Sequence, residues 1–234
     1  MNEPTTASFP SPGAREIGVV YLSYLLVGGA GLFLLRGLVR GGDATATANS
    51  ILAHESVYRA GLSLELVANA LYITLAASFC ALFMRVNRGV ALLAAFFGLA
   101  GCIVQICGGV LEVAPLVLLK DRSLLHAVGA EPLSMASLLS LKLYSRTYDI
   151  SFVLFAFFDL AIGYLIIHSR FLPRILGMLM CAGGVAGATY LWPPLAHPLS
   201  PYVLAVGGFA ELALLLWLLV KGLDITRWRE WAEP

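Results

Sequence analysis

VALLAAFFGLAGCIVQICGGVLEVAPLVLL, residues Val90–Leu119, runs for thirty residues with a single charged side chain, Glu112. The hydrocarbon core of a bilayer is about 30 Å thick and takes about 20 apolar residues of helix to cross. This stretch is long enough to span a membrane, and it is not alone. Similar runs cover Ile17–Val39, Gly61–Met84, Tyr148–His168, Ile175–Trp192 and Tyr202–Val220. Only helices and closed barrels satisfy their backbone hydrogen bonds in lipid. Barrel strands alternate polar and apolar residues over about ten positions, whereas these runs are continuously apolar. The predicted fold is therefore all-α, an integral membrane bundle of six transmembrane helices over residues 15–222. A disordered polar leader is expected over residues 1–14 and an interfacial tail over residues 223–234, where Trp228 and Trp231 beside Arg227 and Arg229 suit the headgroup region.

Composition agrees. Of the 234 residues, 59% are hydrophobic and 12% charged, against about 25% charged in soluble domains, and the mean hydropathy is +0.86. A net charge of +1, with no block of like charge, gives no reason to expect a nucleic-acid partner. Cys80, Cys102, Cys107 and Cys181 all fall inside apolar runs without a C-x-x-C pair, which reads as packing and not as a metal or disulfide framework. The first run resembles a signal peptide only superficially: an h-region is about 7–15 residues long, and this run is longer, so a retained helix is expected.

Two connections are tight and basic, Arg85–Gly89 and Ser169–Arg174, while residues 40–60 and 120–147 form longer polar links on the other side. The second long link, with Leu133, Met135, Leu138, Leu139, Leu141 and Leu143 among polar residues, suits either a short interfacial helix or a loop helix packed over the bundle. Arg15, Arg85, Arg88, Arg170, Arg174, Lys221, Arg227 and Arg229 fall on one side. Arg36, Arg40, Arg59, Lys120, Arg122, Lys142 and Arg146 fall on the other. The long links dilute their positive charge with acids, so the positive-inside rule places both termini in the cytoplasm.

Several segments carry a family resemblance. They are GDATATAN (Gly42–Asn49), ILA (Ile51–Ala53), YRAG (Tyr58–Gly61), VNRGVALLAAF (Val86–Phe96), GYLI (Gly163–Ile166), SRFLPRILG (Ser169–Gly177), Glu211 and WLLVKG (Trp217–Gly222). Together they resemble the bacterial multi-pass membrane family catalogued as domain of unknown function 4386. The resemblance covers nearly the whole chain after residue 15. It implies a multi-pass protein of a prokaryotic plasma (inner) membrane, and it supplies no activity, substrate or catalytic residue. The Trp192-Pro193-Pro194 end of the fifth run and the proline-rich loop after it stand outside that resemblance.

An acid at the centre of a spanning helix costs about 2.5–3.5 kcal/mol on insertion scales and usually faces a bundle interior or cavity. Asp159 lies about 16 Å into the fourth run and Glu211 about 14 Å into the sixth, at about 1.5 Å per residue. Both are candidate midplane acids. They could meet there and share a proton, or serve singly as interhelical hydrogen-bonding groups. A second level lies nearer the long links. Glu65, Asn69 and Tyr72 share one face of the second run, and Gln105 and Glu112 lie seven residues apart on the third. With Arg59, Arg146, Tyr148 and Asp149 at the same ends, these residues define a candidate polar pocket. Interfacial ion pairs tying links to helices would use the same residues.

No catalytic, cofactor-binding or metal-binding residue emerges. His54, His126, His168 and His197 lack metal-ligand spacing. No G-x-S-x-G elbow appears. Gly28, Gly29 and Gly31, like Gly183 and Gly187, lie inside apolar helices as close-packing positions. The expected protein is a membrane protein contacting the lipid bilayer, with small-molecule or proton-linked transport as the leading activity. A non-catalytic partner or sensory subunit, and an intramembrane enzyme acting on a lipid or quinone, are the alternatives. A small-molecule ligand and a homo-oligomer are both compatible with this reading, and no cofactor is expected.

Overall fold

The computed structural model describes residues 13–223 and residue 228. Most of the expected polar leader, and all of the expected tail except Leu223 and Trp228, lie outside the described residues. The described chain is helical: α1 (Ala14–Arg36), α2 (Ala44–Ala53), α3 (Glu55–Phe83), α4 (Arg88–Lys120), α5 (Arg122–Val128), α6 (Ala130–Ser169), α7 (Arg174–Gly187) and α8 (Pro193–Val220). A 3-10 turn, Ala188–Leu191, extends α7. Six helices have the length and apolarity of membrane spans: α1, α3, α4, α6, α7 with its 3-10 extension, and α8. The chain is an all-α membrane bundle.

The six form a ring in chain order. α1 packs on α3, α3 on α4, α4 on α6, α6 on α7, α7 on α8, and α8 returns to α1. One end of the ring, the hairpin end, carries the start of α1, the turns after α3 and α6, and the end of α8. The other, the link end, carries α2, α5 and the 3-10 turn. Local chemistry sets the turns. Asn87 caps α4, its Oδ1 accepting from the Val90 amide at 3.1 Å, which satisfies an otherwise orphaned helix donor. Arg170 ends α6 at φ 59°, a left-handed C-terminal stop, and Pro173 opens α7. The Arg85 guanidinium lies over the Trp228 ring, 5.1 Å from its centroid, a cation–π contact.

Lipid is as apolar as leucine, so close packing and polar contacts, not water exclusion, hold spanning helices together. The core accordingly relies on shape. Toward the hairpin end, Phe79, Phe83 and Phe171 stack in series, with centroids 6.2 and 5.6 Å apart, beside buried Ile162, Leu165, Leu214 and Leu218. A smaller cluster of Leu35, Leu38, Ile51, Tyr58 and Leu116 closes the link end beneath α2. Phe33, Phe96, Val110 and Phe209 face outward, as lipid-contacting residues should.

Three boundaries differ from the sequence expectation. The leucine-bearing part of the 120–147 link, residues 133–143, is neither an interfacial helix nor a separate loop helix. Asp121 caps the short α5, Gly129 breaks the chain at φ 86°, and residues from 130 onward belong to α6 without interruption. Pro132 stands in the first turn, where a missing amide costs nothing. Ser134, Ser137 and Ser140 are buried, their hydroxyls donating back to the carbonyls of Ala130, Leu133 and Ser137, so they pack as small residues. Residues 44–53 form α2, and α3 begins at Glu55. Finally, Pro193 and Pro194 are not the end of a helix but the first turn of α8, the position where proline's fixed φ is favourable.

Candidate functional site

The centre of the ring is not filled throughout. At the link end it holds a cavity of about 600 Å³ with walls from α1, α3, α4, α6 and α8. Its polar lining is Arg36, Tyr58, Glu65, Glu112, Lys142, Tyr144, Ser145, Tyr148, Asp149 and Tyr190, between Leu32, Leu35, Leu138, Leu141, Phe152 and Leu204. Glu112 is only 6% exposed. Its carboxyl lies within hydrogen-bonding reach of Glu65 and Tyr144. The Tyr144 hydroxyl donates to Glu65 Oε2 at 2.6 Å, and the Tyr58 hydroxyl donates to the Glu112 carbonyl oxygen at 2.5 Å. That carbonyl lies one residue beyond the one that Pro115, lacking an amide, leaves without its helical partner.

Deeper in the ring, a second cavity of about 180 Å³ is lined by Tyr24, Tyr72, Gln105, Asp159 and Glu211, with Gly183, Gly187, Gly207 and Gly208 supplying bare backbone. Asp159 and Glu211 are close enough for their charges to interact, and Tyr21 lies against Glu211. Tyr148, Phe152 and Leu204 line both cavities, so the two share a wall.

The structure thus distributes the sequence-predicted residues unequally. Glu65, Glu112 and Tyr148 come together on the larger cavity, and Asp159 and Glu211 on the smaller. Gln105 belongs with Asp159 and Glu211. Asn69 lines neither: its amide donates to the Glu65 carbonyl at 3.0 Å, its Oδ1 is buried without a partner, and its own carbonyl accepts the Cys102 thiol at 3.8 Å. Arg59 turns outward to Glu55, Nε to Oε1 at 2.8 Å, and Lys120 completes that pair at 2.9 Å. Arg146 pairs with Asp149 at 3.3 Å, which also meets His197 Nε2 at 3.3 Å. Neither arginine neutralises Glu65 or Glu112.

Sequence reading passed over Arg36, Lys142 and the phenols Tyr58, Tyr144 and Tyr24 as site residues, and it grouped Tyr72 with Glu65, whereas Tyr72 lines the smaller cavity. A signal was present. Tyr58, Glu65 and Tyr72 are each seven residues apart on α3, and Tyr144, Tyr148 and Phe152 each four apart on α6. Each set is one helix face.

A helical ring with polar cavities at its centre and apolar side chains outside defines a multi-pass membrane protein. The chain belongs to the family described as domain of unknown function DUF4386, whose sequence profile matches residues 17–222. No curated protein and no solved structure matches it.

Proposed function

We propose that this chain is a proton-linked transporter of a small molecule, with residues 15–222 as its membrane unit and the hairpin end and both termini in the cytoplasm. The observation that carries the reading is the pairing of two carboxyls, Asp159 and Glu211, on one interior cavity that shares a wall with a larger one at the link end. Ionisable groups within spanning helices are rare, face the bundle interior or a cavity, and mark ion pathways and proton relays, and binding sites near the midplane of a helix bundle are the usual transporter arrangement. The larger cavity admits the ligand, and the acid pair exchanges the proton. Bare glycine backbone at Gly207 and Gly208 keeps the space beside the acids open.

The test is flux. Purified protein in liposomes loaded with a pH-sensitive dye is expected to dissipate an imposed proton gradient. Asp159→Asn and Glu211→Gln should each slow the leak roughly tenfold or more, as expected for removal of a relay group, without changing the melting temperature by an amount that signals misfolding. A well-folded wild-type protein with no pH-dependent flux would reject the proposal.

A further inference from the structure

The larger cavity carries a charge pattern that the protein itself leaves open. Glu65 and Glu112 face each other on its inner wall, and among the described residues neither forms an ion pair. Glu112 is nine-tenths buried, and its side chain accepts no hydrogen bond from a protein cation. Arg36 and Lys142, also without an ion pair, line the same cavity toward the link end. Of the other carboxylates at this end, Glu55 pairs with Arg59 and Lys120, and Asp149 with Arg146 and His197; Asp43 and Glu131 line a separate cavity with Lys142 without pairing with it. The unpaired acids therefore lie deeper in the ring, and the unpaired cations nearer the link end, of one cavity.

The separation can be counted along α1. Gly31 lies against α3 at Glu65, where an added Cβ would sit 3.3 Å from the Glu65 amide nitrogen. Arg36 is five residues further toward the link end, about 7–8 Å at 1.5 Å per residue. Lys142 precedes Tyr144, the phenol that holds Glu65, by two residues, about 3 Å by the same rise. Between Gly31 and Arg36 on α1, Leu32 and Leu35 supply apolar wall. Desolvated carboxyls without a cation are costly to keep and are compensated when an opposite charge arrives.

We infer that this cavity binds a zwitterion, its ammonium group seated against the Glu65 and Glu112 carboxyls and its anionic group held by Arg36 and Lys142 toward the link end. Tyr58, Tyr144 and Tyr148 surround the ammonium with phenol oxygens and ring faces, which suit an amine. The anionic group can be the carboxylate of a soluble amino acid or the phosphate of an aminophospholipid; the ammonium-plus-anion chemistry is the same. The inference rests on the transport reading only in placing the substrate in this cavity, since binding is measured without flux.

Full-length protein in nanodiscs is titrated with ε-aminocaproate, an extended zwitterion of matching span, and with its half-probes hexylamine and caproate. The zwitterion should bind more tightly than either half. Glu65→Gln with Glu112→Gln should weaken ε-aminocaproate and hexylamine at least about tenfold, the scale of losing a desolvated charge partner. Arg36→Gln with Lys142→Gln should weaken ε-aminocaproate and leave hexylamine unchanged. Discs of phosphatidylcholine and of phosphatidylethanolamine distinguish the sources. Binding that is lost in the latter identifies the lipid headgroup as the occupant, and equal binding in both identifies a soluble zwitterion. If ε-aminocaproate binds in neither disc, or binds no better than hexylamine, the assignment falls. Binding without proton flux would overturn the transport reading alone, and flux without binding would overturn this one alone.

Discussion

Gly163 and Gly177 bring α6 and α7 together backbone to backbone. A Cβ on Gly163 would lie 2.6 Å from Cys181 Sγ and 2.7 Å from the Gly177 carbonyl oxygen, and one on Gly177 would lie 2.6 Å from the Gly163 carbonyl oxygen. Backbone cannot step aside, so Gly163→Ala should lower stability by about 1–3 kcal/mol, the usual cost of overpacking, read as an earlier thermal transition in detergent. Gly207 offers the opposite case. Nothing lies within 4 Å of its added Cβ, so Gly207→Ala should melt with the wild type while encroaching on the cavity of the midplane acids. At this scale the sequence was partly legible. Asp159, Glu211, Glu65 and Glu112 stood out because lipid penalises each of them. Tyr144 did not, because a phenol inside a helix looks like an ordinary amphipathic side chain until its hydroxyl is seen to meet a carboxylate, here that of Glu65. The partners of Arg59 and Arg146 were equally hidden, since a long side chain leaving a helix end can turn to either side.

At the level of elements, α6 shows where hydropathy stops being informative. Its 40 residues extend about 60 Å, twice the hydrocarbon thickness. Apolarity marks only the half that crosses lipid, and the serine-rich half reads as a link because helix continuity leaves no hydropathy signal. α7 is the reverse. Its 14 residues reach only about 21 Å, and the 3-10 turn supplies the remaining length. α5 is held by its cap. Asp121 Oδ1 accepts from the Ser123 hydroxyl at 2.5 Å and from the Ser123 and Leu124 amides at 2.8 and 3.2 Å. The Ser123 hydroxyl foremost, then these amides, hold the carboxyl below the usual aspartate range. A carboxyl whose folded pKa is depressed contributes stability above its unfolded pKa and loses it as pH falls through the folded value. Amide exchange over residues 122–128 should therefore accelerate as pH drops through the acid range below an ordinary aspartate, after correction for intrinsic rates. Asp121→Asn should flatten that dependence.

For the whole molecule, the number of spans and their alternation were readable from apolar length, but the closure of the ring was not. It depends on α8 meeting α1, where Gly18 lies against Leu219 with an added Cβ only 2.9 Å from that side chain. Neither residue announces the other. The ring makes a topological prediction. With Cys107 replaced by serine, cysteines introduced at Thr45 and Met135 should react with a membrane-impermeant maleimide from one side of the bilayer, and one at Arg174 only from the other. Labelling of Thr45→Cys and Met135→Cys from opposite sides would contradict the arrangement of the link end. The wall shared by the two cavities has a further consequence. Tyr148 and Phe152 are one turn apart on α6, and Leu204 faces them from α8, so the two cavities are divided by three side chains and not by a helix. Rotamer changes at unhindered side chains take picoseconds to nanoseconds, whereas collective helix movements take microseconds to milliseconds. Opening between the two cavities therefore turns on χ angles at these three positions and not on movement of the helical frame.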